Sequence, residues 1–542
     1  MGNSTWVRGA IATVSTSAMV LLTGVQTALA ETFRLTDATI TDINQAFESG
    51  ALTSEQLVQL YLNRIAAYDQ QGPAINSLIT VNPNAIALAQ ALDQERQTDG
   101  ARSILHGMPI ILKDNYDTVD LPTSAGSITL KGSIPPDDAF VVQQLREAGA
   151  IILGKANMSE FALSYGRLGY SSLGGLTLNP YRLSRNASGS SSGTAAAIAA
   201  NFAVFGTGTD TAGSIRGPAS VTGLVGIKPT LGLTSRDGIV PLTLSFDVGG
   251  PMARTVTDAA IALGFMTGID LSDPRTLESE GQFYTDYTQF LDANSLDGVR
   301  IGIARDFLGG NPEVDELTEQ AIATLENLGA TVVDVQFSET LQSGWSVMSP
   351  AVTAEFEPQL EHYLSTLARG FPKTLSDIIA ISMSPEVVTS ETPVNPGRIS
   401  GFVESEESPG LADTGYLYAV SNEISAVRNQ ILSQMDVENL DAIIYPTMAC
   451  PASPLFDTDD PTYVCNVGDP YTAGYLANIA GFPDVTLPMG YTSHGLPVGL
   501  SFMAEAYSEP KLLGFVYAFE QATQVRQSPD LLPALPGEEI EY

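Results

Sequence analysis

The residues of this chain that could do chemistry gather in two small-residue loops and at the end of one apolar run. The first loop, "NASGSSSGTAAAIAAN" from Asn186 to Asn201, holds Ser188, Ser190, Ser191 and Ser192 among glycines. Gly189 to Gly193 matches the G-x-S-x-G pattern of a nucleophile elbow, which would make Ser191 the attacking group. That turn needs a strand before it and a helix after it. "TAAAIAA" is small, apolar and helix-favouring. "NPYRLSRNAS", by contrast, holds a proline, two arginines and two asparagines and reads as a polar loop. An elbow also needs a histidine and an acid. His106, His362 and His494 are scattered, with nothing around them that recommends any as a base. The elbow reading is therefore set aside.

The second loop, "FGTGTDTAGSIRGPAS" from Phe205 to Ser220, follows the apolar stretch "IAANFAVF". Thr211, Ala212, Gly213 and Ser214 stand in it between Asp210 and Arg216. Small residues let successive backbone N–H groups turn towards one point, which is how an oxyanion site is built. Lys113 closes the apolar run of "HGMPIILKDN", which reads as a buried strand entering a polar loop. Burial disfavours an ammonium, and a neutral amine is a base. Asp114 is next in the chain, but successive strand side chains face opposite ways, so it need not pair with Lys113. Together these residues point to serine chemistry without histidine.

The elements that must position them follow from local patterns. "TITDINQAFESG" starts at Thr39 with Asp42 three residues later and ends in glycine, a capped helix. Thr53 opens a second helix and "NPNAIALAQALDQERQ" is a third. "DDAFVVQQLREAGAIILGKAN" reads as helix, glycine turn and strand, and residues 299–337 as strand, helix and strand around Gly329. "DAIIYPT" and "PDVTLPMGY" add short strands. Strands alternating with helices predict an α/β architecture with a largely parallel or mixed sheet. Residues 31–98 form an N-terminal helical segment and 99–542 the core, with substrate-facing insertions expected near 273–440.

With 542 residues, 44% of them hydrophobic and 16% charged, the chain is long and apolar enough for a large core. Its 61 acidic and 25 basic residues give a net charge of −36. Such a surface repels nucleic acid and anionic lipid, and no Lys/Arg run offsets it. Arg8 precedes an uncharged run from Gly9 to Ala30 that closes in Ala28-Leu29-Ala30, the pattern of a secretory signal peptide over residues 1–30. Export to the periplasm or medium, with no stable membrane insertion after cleavage, is the expectation. Export would permit a disulfide between Cys450 and Cys465, the only cysteines, but spacing does not fix geometry and two free thiols stay open. The sequence holds no metal-ligand cluster.

Taken in order, "LHGMPIILKDN", "TSAGS", "NPYRLSRNASGSSSGTAAAIAA", "GTDTAGSIRGPAS", "GLVGIKPTLGLTSRDGIVPLTLSFDVGGPMARTVTDAA" and "AGYLANIAGFPDVTLPMG" resemble the amidase signature family of serine hydrolases. The resemblance implies a single large α/β domain, a central twisted mixed sheet covered by helices on both faces. It implies a catalytic triad of Lys113, Ser190 and Ser214, with a cis Gly189–Ser190 peptide and an oxyanion site from the N–H groups of Thr211, Ala212, Gly213 and Ser214. Gly189, Ser191, Asp210 and Arg216 take supporting roles, Asp210 and Arg216 as a pair that holds the loop. No cofactor and no metal is implied. Ser188 and Ser192 stand where the family's common loop has glycines, as does Ala212 beside the nucleophile, which puts the loop's backbone angles and acyl-side clearance in question. The expected reaction is hydrolysis of a carboxylic amide, from a small molecule or a peptide, through an acyl-enzyme. A glutamine-hydrolysing subunit of a tRNA-dependent amidotransferase and a non-catalytic amidase-like binding protein are the alternatives. A homodimer is left open.

Overall fold

The structure is a computed structural model that describes residues 1–5, 32–337 and 344–542. The Gly9–Ala30 run and its Ala28-Leu29-Ala30 pattern lie outside the described residues. A short strand, β1 (Thr32–Arg34), leads to two helices whose starts are set by hydrogen bonds within one turn. Helix α1 (Ile40–Ser49) begins in a capping box, Thr39 accepting from the Asp42 N–H while the Asp42 carboxylate takes the Thr39 N–H, and Gly50 ends it in the left-handed conformation. Helix α2 (Ser54–Tyr68) repeats the device with Thr53 and Gln56. The segment is not purely helical: between α2 and α3 (Ala85–Thr98) lies β2 (Leu78–Val81), which pairs with residues 154–156 at the edge of the main sheet.

The site-bearing half follows. Strand β3 (Pro109–Lys113), helix α4 (Phe140–Glu147) and strand β4 (Ile151–Ala156) form a parallel crossover, and both strands are buried end to end. Four short strands come next: β5 (Tyr170–Ser171), β6 (Gly175–Leu176), β7 (Leu178–Asn179) and β8 (Arg182–Asn186). The last pair corrects the sequence reading, for the polar stretch before the serine loop is a strand after all. It belongs to a two-stranded ribbon away from the main sheet. Beside the β7–β8 ladder, side-chain amides hold it: Asn179 donates to the Asn186 carbonyl (3.2 Å), and Asn186 donates to Ser453 (2.9 Å to its carbonyl). Such contacts leave no apolar pattern to read.

Helix α5 (Ser192–Ala199), strand β9 (Phe205–Asp210), helix α6 (Arg216–Val221), strands β10 (Val225–Lys228) and β11 (Val248–Ala253) and helix α7 (Val256–Gly264) complete that half. Strand β12 (Arg300–Ala304), helix α8 (Pro312–Asn327) and strand β13 (Thr331–Val335) make the opposite edge, so this part of the expected insertion zone belongs to the sheet. Strands β14 (Ala442–Pro446), β15 (Asp484–Tyr491) and β16 (Pro497–Met503) lie between, and β17 (Glu539–Glu541) pairs back onto β1. The mixed sheet has eleven strands in the order β13-β12-β14-β16-β15-β10-β11-β9-β3-β4-β2.

Helices between Gly344 and Glu407 build a second, smaller apolar core around Phe161, Phe356, Leu360 and Phe402. The Arg398 guanidinium lies there 4.4 Å from the ring centres of both Phe356 and Phe402, which stack on each other with centres 5.8 Å apart. Among the described residues no helix is long and apolar enough to cross a membrane.

Candidate active site

Strands β3 and β9 are parallel neighbours, with Ile111 opposite Gly206 and Leu112 opposite Thr207, so both chains leave the sheet at the same edge. That register brings Lys113 to the end of β9, where its Nζ reaches Thr209 Oγ1. The serine loop reaches the same edge because α5, small and buried on every side, packs closely against the sheet. A Cβ on Gly193 would stand 2.3 Å from the Asn157 carbonyl and 2.4 Å from that of Ser77, so only glycine allows this approach.

Lys113 is fully buried, and each partner it finds is neutral. Its Nζ lies 2.8 Å from Ser190 Oγ, 2.7 Å from Thr209 Oγ1 and 3.4 Å from the Thr209 carbonyl. Burial drives its pKa down to about 7, against a smaller upward pull from Asp210 and Asp247. At neutral pH the amine is thus poised between base and ammonium, and 2.8 Å lets either atom donate to the other. The peptide between Gly189 and Ser190 is cis. The Ser190 carbonyl accepts from the Ser159 N–H (3.0 Å), and the Ser191 N–H donates to the Ser214 carbonyl (3.2 Å), which ties the two serine loops together.

Ser190 and Ser214 both open onto one cavity of about 240 Å³, at 2% and 8% exposure. Leu163, Leu168 and Leu242 line it with the aromatic rings of Trp345, Tyr471 and Tyr475, and Thr211 and Ala212 form the end beside Ser214. Asp469 stands at its rim and is the one charged residue among the described lining.

Asp210 organises the loop that carries Ser214. Its carboxylate accepts from the N–H groups of Gly213 (2.8 Å) and Ile215 (3.0 Å) and from the Arg216 guanidinium (3.0 and 3.1 Å). Burial alone would push the Asp210 carboxyl up, but Arg216, with Lys228 and Asn478, outweighs it and holds it well below the usual carboxylate range. Arg216 reaches on to Asp484 (2.6 Å) and Asn478 (2.5 Å). The pairing therefore braces the loop. One expectation changes: the Gly213 N–H is spent on Asp210, so Thr211, Ala212 and Ser214 are the candidate oxyanion donors that remain. Gly213 takes φ 93°, which turns the chain sharply before Ser214.

A family profile described as Amidase matches residues 56–513. The chain belongs to the amidase family. It is 37% identical over 519 residues to a probable amidase of Arabidopsis thaliana, covering 94% of each chain. It is 33% identical to a glutamyl-tRNA(Gln) amidotransferase subunit of Thermoanaerobacter pseudethanolicus, over 91% of this chain and 98% of that one. Among solved structures it resembles the native peptide amidase of Stenotrophomonas maltophilia, at 40% identity and a TM-score of 0.83, over 91% of this chain and 99% of that one. The protein is an amide-hydrolysing enzyme of this family, and its α/β fold with a large mixed sheet is the family's.

In this amidase Ser191, the centre of the G-x-S-x-G match, is fully buried. Its hydroxyl donates to the Thr209 carbonyl (3.2 Å) and accepts from the Thr209 N–H (3.3 Å), so it has neither access nor a base. The strand–loop–helix frame of an elbow is present, and it is the missing histidine that excludes one. His106 is buried and structural: its Nε2 meets the Leu92 carbonyl at 2.9 Å and Nδ1 accepts from the Arg102 N–H at 3.2 Å. His362 and His494 are exposed. Asp114 turns away from Lys113 and pairs with Lys155 (3.6 Å).

Sequence reasoning missed Thr209, Tyr471, Trp345 and Asp469. Thr209 lies in the quoted second loop, but nothing in its local sequence marks it as a partner of Lys113. The others come from distant segments. Cys450 and Cys465 pair, with Cα atoms 5.5 Å apart, and close the loop that leads to Asp469 and Tyr471.

Proposed function

We propose that this enzyme hydrolyses linear carboxylic amides with Ser214 as nucleophile, Ser190 as proton relay and Lys113 as base. The observation that carries the reading is the 2.8 Å contact between a fully buried Lys113 Nζ and Ser190 Oγ, in a cavity that Ser190 shares with Ser214. Neutral Lys113 takes the Ser190 hydroxyl proton, and Ser190 takes that of Ser214 as Ser214 Oγ bonds to the amide carbon. The oxyanion is held by the N–H groups of Thr211, Ala212 and Ser214; by general experience one such donor is worth about 10²–10³ in rate. The proton returns through Ser190 to the leaving nitrogen as the C–N bond breaks. Water, deprotonated by the same relay, then attacks the acyl carbon and releases the acid.

The cavity favours an apolar or aromatic acyl group about the size of one amino-acid residue, which fits an amide at the end of a peptide. Glutamine suits it less, since among the described lining residues there is no Lys or Arg to receive an α-carboxylate. The signal-like N-terminus favours an exported enzyme over a cytoplasmic, tRNA-dependent one. The intact Lys113–Ser190–Ser214 set favours catalysis over a binding role.

The test is turnover of a panel of aliphatic, aryl and peptide amides and glutamine, by wild type and Ser214→Ala. Ser214→Ala is expected to abolish turnover; retained activity would overturn the assignment. Glutamine as the preferred substrate would favour the amidotransferase reading.

A further inference from the structure

Two serines, Ser188 and Ser192, flank the reactive part of the first loop, and both are fully buried. Ser192 Oγ finds no hydrogen-bond partner among the described residues. Ser188 does. Its backbone is left-handed, with φ 62°, a conformation that favours glycine over any residue with a Cβ. Its hydroxyl meets the Tyr471 hydroxyl, 283 residues along the chain, and the Gly189 N–H faces the same phenol oxygen.

The other side of Tyr471 lies on the nucleophile loop. A Cβ on Gly217 would stand 2.5 Å from Tyr471 Cε1, and one on Gly213 3.1 Å from Cδ1. Gly213 immediately precedes Ser214. One side chain thus touches the loop of Ser190 with its hydroxyl and the loop of Ser214 with its ring. Tyr471 is itself held: its N–H donates to Asp469 Oδ1 (2.9 Å), and the preceding Pro470 carbonyl accepts from the Ala449 N–H (3.0 Å), beside the disulfide.

We propose that Tyr471, through its hydroxyl contact with Ser188, is a positioning residue that fixes Ser190 relative to Ser214. The proposal rests on the reading of Ser214 as nucleophile and Ser190 as relay. Proton transfer between two hydroxyls needs them within about 3 Å, and a misplacement of about 1 Å can cost about 10²-fold. Without the phenol oxygen, the buried Ser188 hydroxyl is left unpaired in a backbone conformation that its surroundings must enforce. The loop is then expected to relax, and Ser190 with it.

Tyr471 also lines the cavity, so loss of activity on its removal would not separate positioning from substrate contact. Ser188 does not line it, and coupling between the two residues does separate them. The readout is the rate at which a fluorophosphonate labels Ser214, the serine oxygen displacing fluoride, with kcat and KM for one amide alongside.

Tyr471→Phe is expected to slow labelling about tenfold or more and to lower kcat more than it raises KM. Ser188→Gly alone is expected to cost less than about threefold, because glycine accepts the left-handed backbone without a side-chain contact to enforce it. The double variant is expected to recover to within about threefold of Ser188→Gly, since the orphaned hydroxyl is gone. Wild-type labelling in Tyr471→Phe, an effect confined to KM, or costs that simply multiply in the double variant would each overturn the proposal. Should Tyr471→Phe not fold, Ser188→Ala breaks the contact from the other side and is expected to slow labelling without raising KM; an unchanged rate would overturn it. Failure of the wild-type enzyme to label at Ser214 would refute the triad reading itself, whereas labelling without coupling refutes only the role of Tyr471.

Discussion

Lys113 ends β3 and Lys155 is the last residue but one of the adjacent parallel β4; they stand one register position apart, and both are fully buried. Burial lowers the pKa of both, since both ammonium groups lose their hydration. Their partners differ. Lys155 donates to Thr123 Oγ1 (2.7 Å) and the Pro122 carbonyl (3.0 Å) and lies 3.6 Å from the Asp114 carboxylate, which pulls its pKa back up. Lys113 has hydroxyls and a carbonyl around it, with Asp210 and Asp247 acting on it from further off. Burial thus makes a lysine able to act as a base, and the nearest carboxylate decides whether it does. One fold builds an ion-paired lysine and the proposed base from the same residue type, on neighbouring strands.

The comparison breaks most sharply at Lys113→Met. It is expected to fold and to lose about 10³-fold or more in kcat, as for removal of a general base and the relay it drives. Steady-state kinetics on well-folded protein check this; a loss under about tenfold would remove Lys113 from the chemistry. Lys155→Met is expected to do the reverse. It strands the Asp114 carboxylate, which costs about 3–5 kcal/mol of stability, while the specific activity of the folded enzyme stays within about fivefold. Thermal or urea unfolding measures the first number and active-site titration the second. A catalytic collapse in stable Lys155→Met would erase the distinction.

The smallest effect sharpens it. Protonated Lys113 cannot accept a proton, so kcat/KM is expected to fall about tenfold per pH unit below the Lys113 pKa of about 7 and to level off above it. The Asp247 charge raises that pKa, so Asp247→Asn is expected to move the acid limb to lower pH, by about one unit or less. Asp114→Asn is expected to leave the limb in place, because that carboxylate answers to Lys155. pH–rate profiles of the two variants decide, and a limb that follows Asp114 would mean that the two lysine sites share their charge.

The same contrast between near and far partners explains what could be read in advance. The helices at Ile40–Ser49 and Ser54–Tyr68 were legible because a capping box is closed within four residues. The strand ending in Lys113 was legible because a five-residue apolar run has few other uses. Strand Arg182–Asn186 was not, because asparagine amides and a serine 267 residues away hold it. The pairing of Cys450 with Cys465 was not legible either, because closure depends on how the intervening loop folds back.

By itself, the sequence determined the α/β class, the family and the small set of serines and lysine from which an active site could be drawn. Those are matters of residue type and order, and order survives in a string. It could place Ser190 and Ser191 only by resemblance, for the two are chemically identical neighbours. Tertiary structure gives them different surroundings: Ser190 lies against Lys113 and opens on the cavity, while Ser191 is closed in against Thr209. It also turned the Gly213 N–H onto Asp210 and brought Tyr471 across to Ser188. Each of these depends on distances between segments far apart in the chain, and such distances exist only once the sheet has set its register.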